Sequence, residues 1–116
     1  MGMKIKWNDD RIRATAAAVL LIGHARLARG ETAGLVSESL ADFRADPDDF
    51  KATYPVRTIA AAKESVRLPD GRRHELYLKL IAAVEALVAR VEKNKTQFSS
   101  LAELDNFFAF NLKAFE

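Results

Sequence analysis

A chain of 116 residues makes one domain with a single core, and it needs no staples to fold. Cysteine is absent, which excludes disulfides, thiolate chemistry and cysteine-ligated zinc. The formal charge of +2 is distributed unevenly: residues 1–29 carry six Lys/Arg against two Asp, residues 31–49 carry six acids against Arg44, and residues 51–95 carry ten Lys/Arg against five acids. An acidic block between basic ones can steer a charged partner.

Met1-Gly2 reads as a cloning remnant before a native start at Met3. Lys4-Ile5-Lys6-Trp7 alternates too briefly for a strand and reads as an extended arm, residues 1–7, whose Ile5 and Trp7 pack on the rest. Asn8 is the expected N-cap of a first helix from Asp9 to Arg29, with acids in its opening turn and Gly30 as its left-handed terminator. Its longest uncharged run, Ala14 to Gly23, falls well short of the ~20 residues that span a bilayer, and Asp9 and Asp10 before it are wrong for a secretory signal. A cytoplasmic chain is expected.

This first helix is apolar nearly all round. Ile12, Ala16, Val19, Leu20, Gly23 and Leu27 form one stripe; Ala14, Ala18, Leu21, Ala25 and Ala28 form the opposite one. A helix with two apolar faces is either central to its own bundle or shared with a second copy along the small-residue seam, so a homodimer is a possible partner state.

A second helix is expected from Thr32 to Ala45, with Leu35, Val36, Leu40 and Phe43 inward. Asp46-Pro47-Asp48-Asp49 starts a short third helix, with Asp46 capping and Pro47 in the first position, where its missing N–H costs nothing. Helix capping accounts for these acids better than a cation loop, which would need a central glycine and a distal glutamate. Tyr54-Pro55 breaks that helix, and Pro55 is expected to open another as far as Val66. Leu68-Pro69-Asp70-Gly71 is a turn. Residues 66–78 fit either a hairpin around it or the start of a long helix at Asp70 or Gly71. Tyr77, Leu80, Ile81, Val84, Leu87, Val88 and Val91 keep helical spacing and favour the helix, with Lys93 and Lys95 in its last turn. Ser100 to Glu103 is a capping box that opens the last helix. The sum is an all-α, compact bundle of about five helices, two of them long and antiparallel, closed by the last.

Five of the seven phenylalanines fall in the last nineteen residues. Leu101, Leu104, Phe108, Leu112 and Phe115 share one face of the last helix, with Phe107 at its edge and Phe110 pointing away. Aromatic side chains that one face cannot hide are common interface anchors.

Chemistry is sparse. His24 and His74 are the only histidines, and neither has a second ligand at metal spacing, so no metal or cofactor is expected. Arg67 and His74, with six residues between them, are similar to the arginine–histidine pair of small all-helical HEPN-type ribonucleases. The sequence departs from that pattern at Leu68, where a polar residue is usual, and at Pro69-Asp70-Gly71, which breaks the helix that would hold the pair. The resemblance would imply an RNA-cleaving site at Arg67 and His74.

The reading favoured instead is a non-enzymatic protein-binding module. It would be an inhibitor, adaptor or assembly factor, a class that includes phage-encoded chains, occupying a surface on a larger protein or nucleoprotein complex. Phe107, Phe110 and Phe115 would anchor it, and Arg67, Arg72 and Arg73 would orient it. The alternative is a nucleic-acid-binding regulator using the same arginines with Lys4, Lys6, Arg11 and Arg13.

Overall fold

The computed structural model describes residues 4–64 and 68–116. Among them are six α-helices: α1 (Asp10–Ala28), α2 (Leu35–Ala45), α3 (Pro47–Thr53), α4 (Ile59–Lys63), α5 (Gly71–Asn94) and α6 (Leu101–Asn111), followed by a 3-10 turn, Lys113–Phe115. The fold is all-α. The cloning remnant expected at Met1-Gly2 lies outside the described residues, as does the first part of the 66–78 hairpin alternative. The second part of that alternative is settled by α5, which occupies 71–78.

The local chemistry explains most boundaries. Asp9, not Asn8, caps α1: its Oδ1 accepts from the Arg11 amide at 2.8 Å, while both carboxylate oxygens hold the Arg11 guanidinium at 2.8 and 3.1 Å. Those bonds to Arg11 lower the Asp9 pKa below the ordinary carboxylate value. At the other end Gly30, at φ 81°, completes a Schellman motif, with Gly30 N–H donating to Leu27 O (3.0 Å) and Glu31 N–H to Arg26 O (2.9 Å).

The second helix starts three residues later than Thr32, behind left-handed Gly34. Glycine has no side chain to cap with, and the cap arrives from far along the chain: Glu116 Oε1 accepts from the Ser37 amide at 2.8 Å. Asp46 caps α3 as expected, accepting from the Asp49 amide at 3.0 Å. Pro55 does not open the fourth helix. Arg57 ties that loop by donating to the Tyr54 carbonyl at 3.0 Å, and Thr58 supplies the cap through the Ala61 amide. Asp70 caps α5 with bonds from the Arg72 and Arg73 amides, which lower its pKa as well.

Lys95 falls past the last turn of α5 rather than inside it, and at φ 52° takes the left-handed conformation that glycine usually fills. Ser100 caps α6 through the Glu103 amide at 3.0 Å. The reciprocal arm of the capping box reaches one residue further back than expected, because Glu103 Oε2 accepts from the amide and hydroxyl of Ser99. These bonds lower the Glu103 pKa.

The core forms around α1, which packs against α2, α4 and α5. The side chain-free surface at Gly23 lets Leu80 of α5 and Ser39 and Leu35 of α2 approach together, and a Cβ there would meet Leu80 Cδ2 at 3.5 Å. Arg73, in the first turn of α5, reaches the Leu27 carbonyl in the last turn of α1 (3.5 Å), and Arg13 near the start of α1 lies 3.6 Å from Glu92 near the end of α5. The two long helices are therefore antiparallel. All seven members of the predicted α5 stripe are buried. The buried hydroxyls of Thr15 and Ser39 donate to the carbonyls of Arg11 and Leu35, each at 2.7 Å.

The last helix packs on α2. Arg44 grips Asp105 with two parallel bonds of 2.9 and 2.8 Å and donates to Thr15 Oγ1 at 2.9 Å, joining α2, α6 and α1 in one largely covered network. Finally, Ile5 and Phe98 exchange two backbone bonds of 2.8 Å and are both buried, so the arm clasps the loop between α5 and α6. Trp7 packs partly against the same core.

Candidate interaction surface

The capping box sets the phase of α6, and the phase decides which phenylalanines are hidden. Leu104, Phe108 and Leu112 are buried and Leu101 is half-buried, all turned toward the core. Phe115, on the 3-10 turn, is half-buried and packs against that core, with the rest of its side chain exposed. Phe110 is 68% exposed, the most exposed large apolar side chain among the described residues. Phe107 lies between: its ring meets Phe98 edge-on at 5.1 Å and Phe108 at 6.3 Å, and its remaining surface is open.

Two cations that the sequence reading did not single out complete this surface. The Arg90 guanidinium lies 5.8 Å from the Phe107 ring centre, and Lys113 Nζ lies 5.0 Å from that of Phe110. Lys113 was legible as the residue three places beyond Phe110, a spacing that makes helical neighbours. Arg90 comes from another helix, and no local signal points to it. Arg90 Nη2 donates to Asn111 Oδ1 at 2.5 Å, and the Asn111 amide donates in turn to the Phe107 carbonyl at 2.8 Å.

The predicted arginines are elsewhere. Arg67 lies outside the described residues. Arg72 is exposed and Arg73 half-buried in the first turn of α5. Arg73 is drawn to the C-terminal carbonyls of α1, where a cation complements the helix dipole, and its Nη2 is 3.1 Å from where a Gly30 Cβ would be. Seventeen residues separate Arg73 from Arg90, about 25 Å along a helix, so Arg72 and Arg73 do not share one surface with the phenylalanines.

The basic group offered for nucleic acid is likewise divided. Arg11 is held by Asp9, and Arg13 lies beside Asp10 and Glu92, at the opposite end of α5 from Arg72 and Arg73. Along α1, Ala18 and Leu21 are buried by this chain's own helices, Ala14 and Ala25 are half-buried, and Ala28 is exposed. The seam is occupied from within, which removes its centre from any contact with a second copy.

His24 packs edge-on against Tyr77 at 4.8 Å, and the Tyr77 hydroxyl donates to the Ala62 carbonyl at 2.9 Å. His74 is half-buried in the first turn of α5, which begins at Gly71 behind the Asp70 cap. Asp46 is engaged in capping, while Asp48 and Asp49 face solvent in the first turn of α3. Among the described residues no group of three or more His, Asp or Glu could hold a metal ion, and no helix is long and apolar enough to cross a membrane.

A surface pocket of about 330 Å³ lies between α1, α2 and α3. It is lined by Arg29, Asp42, Asp46, Asp49 and Tyr54 among others. Burial there raises the Tyr54 pKa. Comparison with protein-family models, curated proteins and solved structures finds no match to this chain.

Proposed function

We propose that this chain is a non-enzymatic protein-binding module. It acts as an inhibitor, adaptor or assembly factor by laying the outer side of α6 on a surface of a larger protein or nucleoprotein complex. The observation that carries the reading is Phe110, a full aromatic side chain held 68% exposed on a helix whose other large apolar groups are wholly or partly packed. Half-buried Phe107 adjoins it, and a rim of Arg90, Asn111 and Lys113 surrounds the pair. A rigid, exposed aromatic side chain within a polar rim is how protein interfaces concentrate their binding energy.

The test is selection of a displayed random-peptide library on the immobilised protein, with every recovered clone re-measured on Phe110→Ser. Phe110 makes few contacts, so the variant keeps the parent thermal midpoint. Recovered clones are expected to bind it at least about tenfold more weakly, the range of an interface anchor. Clones indifferent to Phe110→Ser would overturn the reading.

A further inference from the structure

We infer that this surface takes an acidic segment of a partner protein, one that sets carboxylates beside a large apolar side chain. The inference rests on the protein-binding reading and specifies its partner by charge.

Phe107 and Phe110 are three residues apart on α6 and are neighbours on one side of the helix. Each ring has a cation beside it, and neither Arg90 nor Lys113 has a carboxylate within 4.0 Å among the described residues. The acids near them in the chain are committed elsewhere. Glu92 lies with Arg13 at 3.6 Å and Asp105 with Arg44 at 2.8 Å. Glu103 is bonded to the Ser99 amide and Glu116 to the Ser37 amide. The apolar patch is thus flanked by positive charge that the fold does not neutralise.

Arg90 is also held in position. Its Nη2 bond to Asn111 fixes the guanidinium over Phe107 while leaving most of its five N–H donors unused, and Asn111 is itself fixed by the Phe107 carbonyl. A fork restrained in this way accepts a carboxylate with little further ordering.

The same geometry disfavours single-stranded nucleic acid, which binds by stacking successive bases on successive aromatic faces. Phe107 is half-buried, with Phe98 and Phe108 meeting it edge-on and Arg90 over its ring, which leaves Phe110 as the more open ring of the pair, with Lys113 already beside it.

Fluorescence anisotropy with three labelled probes tests this: a peptide of alternating Glu-Glu and Leu-Leu pairs, its twin with glutamine for every glutamate, and oligothymidylate. The Glu peptide is expected to bind at least about tenfold tighter than the Gln twin and to weaken with added salt. Arg90→Gln with Lys113→Gln, both surface changes, should erase that preference, and Phe110→Ser should weaken both peptides. Equal binding of the two peptides, still dependent on Phe110, would overturn the acidic partner and leave the protein-binding reading standing. A Glu preference that survives the double variant would place the charge recognition elsewhere and overturn the assignment, as would no binding by either peptide. Tighter binding of oligothymidylate than of both peptides would overturn the acidic partner and the protein-binding reading together.

Discussion

Helices α1 and α6 each carry more apolar surface than one face can hide, and the fold treats them differently. The first is wrapped by α2, α4 and α5 until even the alanines of its second stripe are buried or half-buried through Ala25. The last packs on α2, closes the core with Phe108, and is left with Phe110 outside. The difference follows from how each helix is surrounded. Helix α1 has α2, α4 and α5 about it, whereas α6 packs mainly on α2 and the 3-10 turn, so a ring on its far side meets little of the fold. Surplus apolar surface on α1 is therefore core, and on α6 part of it, at Phe110, is left exposed.

That contrast is open to attack by mutation. The largest effect belongs to Ala18→Glu, which forces a charge into the fully buried face of α1. The expected loss is about 5 kcal/mol or more, enough to remove the cooperative urea transition. Retention of a normal transition would mean that α1 is not enclosed. Next come two substitutions on α6. Phe108→Ala should cost about 3–5 kcal/mol in urea unfolding, and Phe110→Ala should stay within about 0.5 kcal/mol of the parent. Similar costs for the two would erase the distinction between core and surface rings.

The smallest effects compare helix ends. Gly30→Ala should lose about 1–2 kcal/mol, because an L side chain at φ 81° is strained and its Cβ would crowd Arg73. Lys95→Gly should gain about 0.5–1 kcal/mol by relieving the left-handed lysine. Paired thermal melts read both signs, and a destabilised Lys95→Gly would show that the lysine side chain contributes more than its backbone costs.

What could be read in the sequence was what local chemistry decides. Asp46-Pro47, Asp70, Ser100 and Gly30 each announce a helix end by their own hydrogen-bonding or backbone character, and the α5 stripe follows from its spacing. The start of α2 was misplaced because its cap, Glu116, is bonded to Ser37 from the far end of the sequence, and no local pattern contains it. Asn8 and Asp9 are both good caps, and the choice fell to Asp9, which can hold the Arg11 amide and guanidinium together. At the surface, Phe110 was evident from its angle on α6. Phe115 falls on the inward face by its seven-residue spacing from Phe108, and it packs partly against the core there. Arg90 was invisible for the same reason as Glu116: it meets α6 only through tertiary packing.

The clasp between Ile5 and Phe98 has a kinetic side. Joining positions so far apart closes a loop whose entropy cost is about 4 kcal/mol by chain statistics, so the contact forms after the helices that bring its two ends near. Contacts made that late are absent from the folding transition state and act on the rate of escape from the native state. The arm is thus a brake on unfolding, setting how long the exposed Phe110 stays mounted on an intact bundle rather than how fast the bundle assembles.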